Sequence, residues 1–226
     1  MPGPSPTTLF SVFPEKLSTL LFGHATEQKK LAADETLFLA GDPGDGCYRV
    51  EQGLLKVSMT AASGAERILA IVGPGGIVGE LSTIDGLPRS ASVSAVRDSE
   101  LTFVSRAAFH TFAEQHPDVY RHLVTLLASR LRDTDAVVAA GSFLPLKGRV
   151  ARALLDLALA FGQDVGQGRI LIRQKVSQSD VAAMAGIARE NVSRILNDWI
   201  RDKLVSRLSG YYCLEDHAKL QSEAAL

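Results

Sequence analysis

One stretch of the chain constrains the fold more than any other, because residues 118–140 contain no glycine and no proline. Such a run predicts one long helix from Pro117 to about Ala140. Along it, apolar residues, interrupted by one threonine, recur at alternating steps of four and three, which is the spacing of a two-stranded coiled-coil seam. The seam consists of Tyr120, Val124, Leu127, Leu131, Thr134 and Val138. We therefore predict a homodimer held by this helix; the alternative is a stripe that covers the chain's own core.

Short runs of β-branched and aliphatic residues precede this helix, and glycine-rich turns such as 41–46 and 62–64 separate them. The pattern is typical of a small antiparallel barrel or sandwich. It predicts a short helix over 14–21 and strands at 36–40, 47–51, 54–60 and 67–72. The chain therefore combines a β-rich first part with helices, which is an α+β architecture.

The segment after the long helix begins a new domain. Gly141 and Ser142 are expected to end the helix, and Pro145 disfavours helical backbone at the residue before it. Beyond this point we expect a helix over 146–161, a turn at 162–168, a strand at 170–172, two short helices and a hairpin. The predicted domains are 1–116 for the β-rich domain, 117–140 for the dimerisation helix and 141–226 for the rest.

Two of the later helices have the pattern of a helix-turn-helix. Ser177 can cap the first helix, and Gly186 lies at the sharp turn before the second, predicted over 189–202. Apolar residues of the second helix fall on one face, and Arg189, Glu190, Ser193 and Arg194 remain on the other. Guanidinium and carboxylate groups at the start of such a helix can read base edges in the major groove.

A hairpin follows, with strands at 204–207 and 211–214 around the turn 208–210, which makes this a winged helix-turn-helix. Lys203 and Arg207 are placed to contact phosphates, and Ser177 is added to the DNA-facing set. Charge agrees with a polyanionic partner, since residues 140–226 carry 12 basic and 9 acidic residues whereas 1–139 carry 12 and 16. The alternative is an ordinary solvated helix with charge pairs.

Composition excludes several classes of protein. Two cysteines are too few for an iron-sulfur cluster or a cysteine-based zinc site, and we expect no metal and no haem. The start of the chain lacks the regions of a signal peptide, and no apolar run approaches the roughly 18 residues of a membrane span. We expect a cytoplasmic protein without a membrane partner.

The glycine-rich segment 73–80 has neither a dinucleotide fingerprint nor the lysine of a P-loop, so nucleotide hydrolysis is not expected. It continues into Gly79-Glu80-Leu81 and, after a short turn, Arg89-Ser90. A turn with an arginine, a hydroxyl and exposed backbone N–H groups can hold a phosphodiester, and Glu80 can accept a hydrogen bond from a hydroxyl. Alternatively, Glu80 and Arg89 form a buried ion pair with no ligand.

Over residues 30–215, the order of barrel, Gly-Glu-Leu to Arg-Ser-Ala segment, long helix and helix-turn-helix resembles the Crp/Fnr family of bacterial transcription regulators. The resemblance implies a cyclic-nucleotide-binding jelly roll, a dimerisation helix and a winged helix-turn-helix. It further implies that Glu80 binds the ribose 2′-hydroxyl of a cyclic nucleotide, that Arg89 and Ser90 bind its phosphate, and that Leu69 lines the pocket. Thr134 would contact the purine, and the base contacts would fall to Arg189, Glu190 and Arg194.

Asp135 departs from the catabolite activator, which has serine at this position. The carboxylate either faces solvent, pairs with a basic residue or selects a guanine edge. The resemblance implies a regulator that is not an enzyme, controlled by cAMP or cGMP, acting as a homodimer on a palindromic operator and contacting RNA polymerase. The alternatives are a ligand-independent regulator controlled by its abundance and, from another class, a barrel-regulated enzyme or channel domain.

Overall fold

The computed structural model describes residues 15–23 and 27–225. The chain divides into two compact units, the first ending at Arg132 and the second beginning at Asp133. Among the described residues, no helix combines the length and apolarity that crossing a bilayer requires.

The first unit is a β-rich domain with helices at its start and end. Its main sheet has the strand order β1-β6-β3-β4, with β2 paired to β6 and β5 paired to β3. The sheet is jelly-roll-like and not closed. Its elements are α1 (Glu15–Gly23), β1 (Glu27–Leu31), β2 (Thr36–Phe38), β3 (Gly46–Thr60), β4 (Glu66–Val72), β5 (Ile77–Val78), α2 (Glu80–Asp85), β6 (Ser92–Ser105), α3 (Arg106–Gln115) and the first part of α4 (Asp118–Phe143).

The predictions of two strands at 47–51 and 54–60 were wrong, because β3 runs through both. Gly53 lies between them at φ 100°, where the register against β6 shifts. A Cβ at this position would lie 2.1 Å from Ser99 Oγ, and that hydroxyl accepts from the backbone N–H of Leu54 at 3.0 Å. The glycine therefore forms a bulge within a strand, where the sequence suggested a turn.

Five further elements of this unit, β1, β5, α2, β6 and α3, lie outside the predicted helices and strands. The strand β1 has the sequence Glu-Gln-Lys-Lys-Leu, and only Leu31 is buried, so it shows no alternation of apolar residues. The helix α2 is short and starts inside the glycine-rich segment. The helix α3 is capped by Ser105, whose side chain accepts from the N–H of Ala108. Pro14, predicted to open the first helix, lies outside the described residues.

The second unit is built from helices and a small sheet of order β7-β8-β10-β9. Its core contains Leu154, Ile172, Leu196 and Tyr212, all fully buried. After the end of α4, the elements are α5 (Leu146–Phe161), β7 (Gly162–Asp164), β8 (Ile170–Ile172), α6 (Gln178–Ala185), α7 (Arg189–Arg201), β9 (Val205–Leu208), β10 (Tyr211–Leu214) and α8 (His217–Glu223). The helix α8 was not predicted, and β7 lies at the start of the segment 162–168, where a turn was predicted.

The long helix extends past its predicted end. Gly141 and Ser142 lie within α4, and the N–H of Leu144 still donates to the carbonyl of Ala140 at 3.0 Å. One glycine costs a helix only about 1 kcal/mol, which does not stop it. Pro145 instead caps α5, and the guanidinium of Arg149 donates to the carbonyl oxygens of Gly141 and Leu144.

Candidate functional site

Arg89 is the centre of a buried polar cluster in the first unit. Its Nη1 donates to the carbonyl oxygens of Gly46 at 2.8 Å and Gly79 at 2.9 Å, and its Nη2 donates to Asp45 Oδ1 at 2.9 Å. The guanidinium also lies 4.2 Å from the ring centroid of Phe38. Its Nε is buried and has no hydrogen-bond partner within the described part of the chain. A buried N–H of this kind is costly unless an acceptor arrives.

Gly79 is fitted to this arginine. Its φ is 81°, in the left-handed region that favours glycine, and a Cβ there would lie 2.4 Å from Arg89 Nη1. The residue is also the N-cap of α2, and its carbonyl accepts from Thr83 Oγ1 at 3.1 Å. The turn therefore brings the backbone against the guanidinium and starts α2 at the same point.

Glu80 is the first residue of α2 and is buried, with a side chain 4% exposed. Its carboxylate forms an ion pair with Arg130 Nη1, and Arg130 Nη2 donates to the carbonyl of Ile77 at 2.9 Å. Glu80 and Arg89 thus have different ion-pair partners in the structure. A carboxylate at the start of a helix is also favoured by the helix dipole.

The other predicted ligand residues lie at the surface or in the second unit. Ser90, Leu69 and Leu81 are exposed residues of the first unit. Thr134 and Asp135 are exposed on the part of α4 that belongs to the second unit. The described first unit thus groups Gly79, Glu80 and Arg89 around buried polar contacts.

The second candidate site is the helix-turn-helix of α6 and α7. Ser177 forms a capping box with Asp180, in which each side chain accepts from the other residue's backbone N–H. Gly186 ends α6 at φ 64°, and its N–H donates to the carbonyl of Ala182 at 2.8 Å. The left-handed glycine makes the sharp turn that the motif requires.

The helix α7 separates apolar and polar residues cleanly. Val192, Ile195, Leu196 and Trp199 are buried in the core of the unit. On the other face, Arg189, Glu190 and Arg194 are exposed and Ser193 is half-buried. The predicted base-reading residues therefore lie on the accessible side of the first two turns.

The predicted wing is the hairpin of β9 and β10. The guanidinium of Arg207 lies 5.0 Å from the ring centroid of Tyr212, and the side chain is exposed. Lys203 is also exposed and has a backbone φ of 59°. The aromatic ring thus holds a cation on the hairpin.

Comparison with known proteins identifies a domain family in each part of the chain. Residues 28–116 match the model of the cyclic nucleotide-binding domain, and residues 148–223 match that of the Crp-like helix-turn-helix domain. The cyclic AMP receptor protein of Thermus thermophilus is 34% identical over 219 residues, which are 92% of this chain and 98% of the relative. The chain belongs to the CRP family of transcription regulators.

Two further relatives support this assignment. The CRP-like cAMP-activated global transcriptional regulator of Mycobacterium tuberculosis is 34% identical over 171 residues, which are 74% of this chain and 76% of that protein. The crystal structure of a CRP-family transcriptional regulator from Thermus thermophilus has a TM-score of 0.73 and 27% identity, covering 87% of this chain and 96% of that one. The predicted family, fold class and regulatory, non-enzymatic function are thereby confirmed.

The seam of this CRP-family regulator is largely exposed along α4. Tyr120, Val124, Leu131 and Val138 are 44%, 66%, 63% and 62% exposed. Leu127 is half-buried and Thr134 is exposed. By contrast, Val119, Leu123 and Leu126 on the same helix are buried within the first unit. The helix therefore has one apolar stripe for its own domain and a second stripe with heptad spacing.

Sequence reasoning missed three residues of the polar cluster: Asp45, Phe38 and Arg130. The sequence pattern indicates only a turn at Asp45 and a strand at Phe38. Arg130 stands four positions before Thr134 in the helix, so it lies on the same face as a predicted ligand residue. That spacing was the available signal for Arg130.

Cys47 lies beside this cluster as a neutral thiol. Burial raises the pKa of Cys47 to about 12, and the negative charge of Glu80 adds to this increase. The thiol is therefore protonated at neutral pH, and it acts as a small apolar side chain in the core.

Proposed function

We propose that a cyclic mononucleotide, cAMP or cGMP, is the effector of this regulator. The observation that carries the proposal is the buried Nε of Arg89, which lacks a partner among the described residues. A cyclic phosphate oxygen is a charged acceptor that an arginine fork binds well. An anion at this point would complete a guanidinium that the protein satisfies only in part.

The remaining assignments follow the family. Ser90 supplies a hydroxyl to the phosphate, and Gly79 and Leu81 frame the turn. Glu80 accepts from the ribose 2′-hydroxyl, which is compatible with its burial at the start of α2. Leu69, Thr134 and Asp135 are assigned to the base-binding side by the family resemblance alone.

We further propose that the regulator acts as a homodimer through the heptad stripe of α4, on a palindromic operator. Four large apolar residues of the seam are exposed, which supports the proposal that a second copy of the chain buries them. Two recognition helices in such a dimer would enter half-sites about 34 Å apart. Ser177, Arg189, Glu190, Ser193, Arg194, Lys203 and Arg207 form the proposed DNA-facing set. RNA polymerase is the proposed protein partner. The proposed location is the cytoplasm, because it contains the DNA.

The effector acts by binding one arrangement of the dimer more tightly than another. Only such differential affinity can shift the equilibrium, and a 100-fold preference supplies about 2.7 kcal/mol. By reciprocity, operator DNA tightens effector binding by the same factor.

Calorimetry with cAMP and with cGMP on the full chain tests the effector. We expect binding heat for the wild type and its loss in Arg89→Ala, since removing a charged partner of a buried phosphate costs about 2–5 kcal/mol. Circular dichroism checks that the variant keeps its fold. Absence of heat with both nucleotides in the wild type would overturn the effector assignment and leave a regulator controlled by its abundance.

A further inference from the structure

The heptad spacing of α4 also specifies what flanks the seam. If the six seam residues occupy positions a and d, the flanking positions g are Leu123, Arg130 and Val137, and the flanking positions e are Arg121, Ala128, Asp135 and Ser142. In a parallel two-stranded coil, a g residue faces the e residue five positions later on the partner. Within α4, this rule gives one pair of opposite charges, which is Arg130 with Asp135 of the second copy.

Arg130 is the residue that holds Glu80 in the candidate effector site. Its side chain is 33% exposed, so a group outside the protomer can reach it. Asp135 is exposed on α4. The family resemblance assigns this carboxylate to the base-binding side, and its heptad position also lies beside the seam, where charged side chains form salt bridges between helices.

We propose that Asp135 of one protomer pairs with Arg130 of the partner subunit. The second copy then contributes a residue to each Glu80–Arg130 pair, and the symmetry of the dimer makes the contact twice. This inference rests on the proposed homodimer and adds a cross-subunit contact to the proposed effector site. It requires a parallel pair of helices in register.

The pair would connect effector binding to dimerisation. One guanidinium serves two carboxylates, Glu80 of its own chain and Asp135 of the second copy. A ligand hydroxyl that engages Glu80 changes the interaction of Glu80 with Arg130, and therefore the contact that Arg130 makes across the seam. By linkage, a change at the seam must also alter ligand affinity.

Sedimentation equilibrium of the full chain tests the pair. We expect Asp135→Asn to raise the dimer dissociation constant about two- to tenfold, because two partly exposed ion pairs are lost. The increase should shrink at high salt. Asp133→Asn is the matched control, since it removes the same charge from the same helix at heptad position c, away from the seam, and should leave the constant unchanged.

A double-mutant cycle separates a specific pair from a general charge effect. In an Arg130→Gln background, whose fold is checked by circular dichroism, Asp135→Asn should change the dimer dissociation constant less than twofold. If Asp135→Asn raised the dissociation constant as much in that background as in the wild type, or if Asp133→Asn raised it equally, the pair would be overturned. The proposed dimer would be unaffected by that result. A wild type that is monomeric at every concentration would overturn the proposed dimer itself, and the pair with it.

Discussion

Arg89 Nη2 donates to Asp45 Oδ1 at 2.9 Å, although the side chain of Arg89 is 2% exposed and that of Asp45 is 70% exposed. A carboxylate from the glycine-rich turn 41–46 thus neutralises a buried cation. The backbone of the same turn also contacts Arg89. The carbonyl oxygen of Gly46 accepts from Nη1, and that of Asp42 accepts from the backbone N–H of Arg89. Because Arg89 is also the proposed phosphate anchor, Asp45 and a phosphate would compete for it.

This competition predicts that Asp45→Asn binds cyclic nucleotide more tightly than the wild type. Removing a carboxylate beside the phosphate site relieves both competition for Nη2 and repulsion of the anion, worth roughly 0.5–1.5 kcal/mol or about two- to tenfold in affinity. Calorimetry measures it. Asp42→Asn is the control, since that side chain accepts from the N–H of Leu39 and should leave affinity unaltered. Weaker binding by Asp45→Asn would mean that Asp45 positions Arg89 for the ligand.

Gly79→Ala should damage the effector site more than the fold as a whole. The new Cβ would meet Arg89 Nη1, and the left-handed backbone disfavours alanine, so we expect a loss of stability of about 1–3 kcal/mol and much weaker nucleotide binding. Gly141→Ala is the contrasting control. It lies within α4 with no atom within 4 Å of a new Cβ, so it should gain about 0.5–1 kcal/mol. Denaturant unfolding measures the stability of both variants. A Gly79→Ala variant as stable as the wild type, or a Gly141→Ala variant that is less stable, would contradict the argument.

Leu127→Asp should separate the proposed dimer. It places a charge in the apolar seam, where burial without a partner is costly. We expect monomers in sedimentation at concentrations where the wild type is dimeric. Thr125→Asp adds the same charge on an exposed position of the same helix and should leave the dimer intact. A dimeric Leu127→Asp would move the interface elsewhere.

The Cys47 thiol should resist thiol reagents in the native protein at pH 8, whereas the partly exposed Cys213 reacts slowly. The folded pKa of Cys47, about 12, lies above the ordinary value of 9.0 for a cysteine thiol, so above pH 9 the unfolded chain loses a proton that the folded chain keeps. Stability should therefore fall as pH rises from about 9 to about 12, by about 2 kcal/mol from this group at pH 10.5. Unfolding of Cys47→Ala should show a correspondingly smaller fall, and an identical fall would contradict the assignment.

The sequence predicted the second unit better than the first because its signals are local. Ser177 with Asp180, and Gly186 at the turn, are cap and turn residues that act within a few positions. The first unit depends on strand pairing across long separations. Gly53 looked like a turn because the bulge that requires it exists only against β6, at Ser99.

The same distinction applies to the effector site. Glu80 and Arg89 stand in a recognisable local segment, and both were predicted. Their ion-pair partners lie far away in sequence, 44 residues for Asp45 and 50 residues for Arg130. Local spacing carries no information about such pairs, which arise only when the strands and α4 come together.

DNA binding offers a prediction that distinguishes base-specific contacts from contacts with the phosphate backbone. Arg189 and Arg194 are exposed on the first two turns of α7, where side chains reach base edges, whereas Lys203 and Arg207 lie near the wing. Arg194→Ala should cost about 1–3 kcal/mol on the cognate palindrome and little on scrambled DNA, so specificity collapses. Arg189→Ala should behave in the same way.

Lys203→Ala should instead weaken binding to both DNAs alike and lower the salt slope by about one unit, because a phosphate contact carries no sequence information. Arg207→Ala should act similarly, with some added loss of stability because its guanidinium packs on Tyr212. Titrations of specific and scrambled duplexes at several salt concentrations measure both quantities. Equal losses on the two duplexes for Arg194→Ala would show that α7 does not read bases, and a specific loss for Lys203→Ala would place the base contacts at the wing.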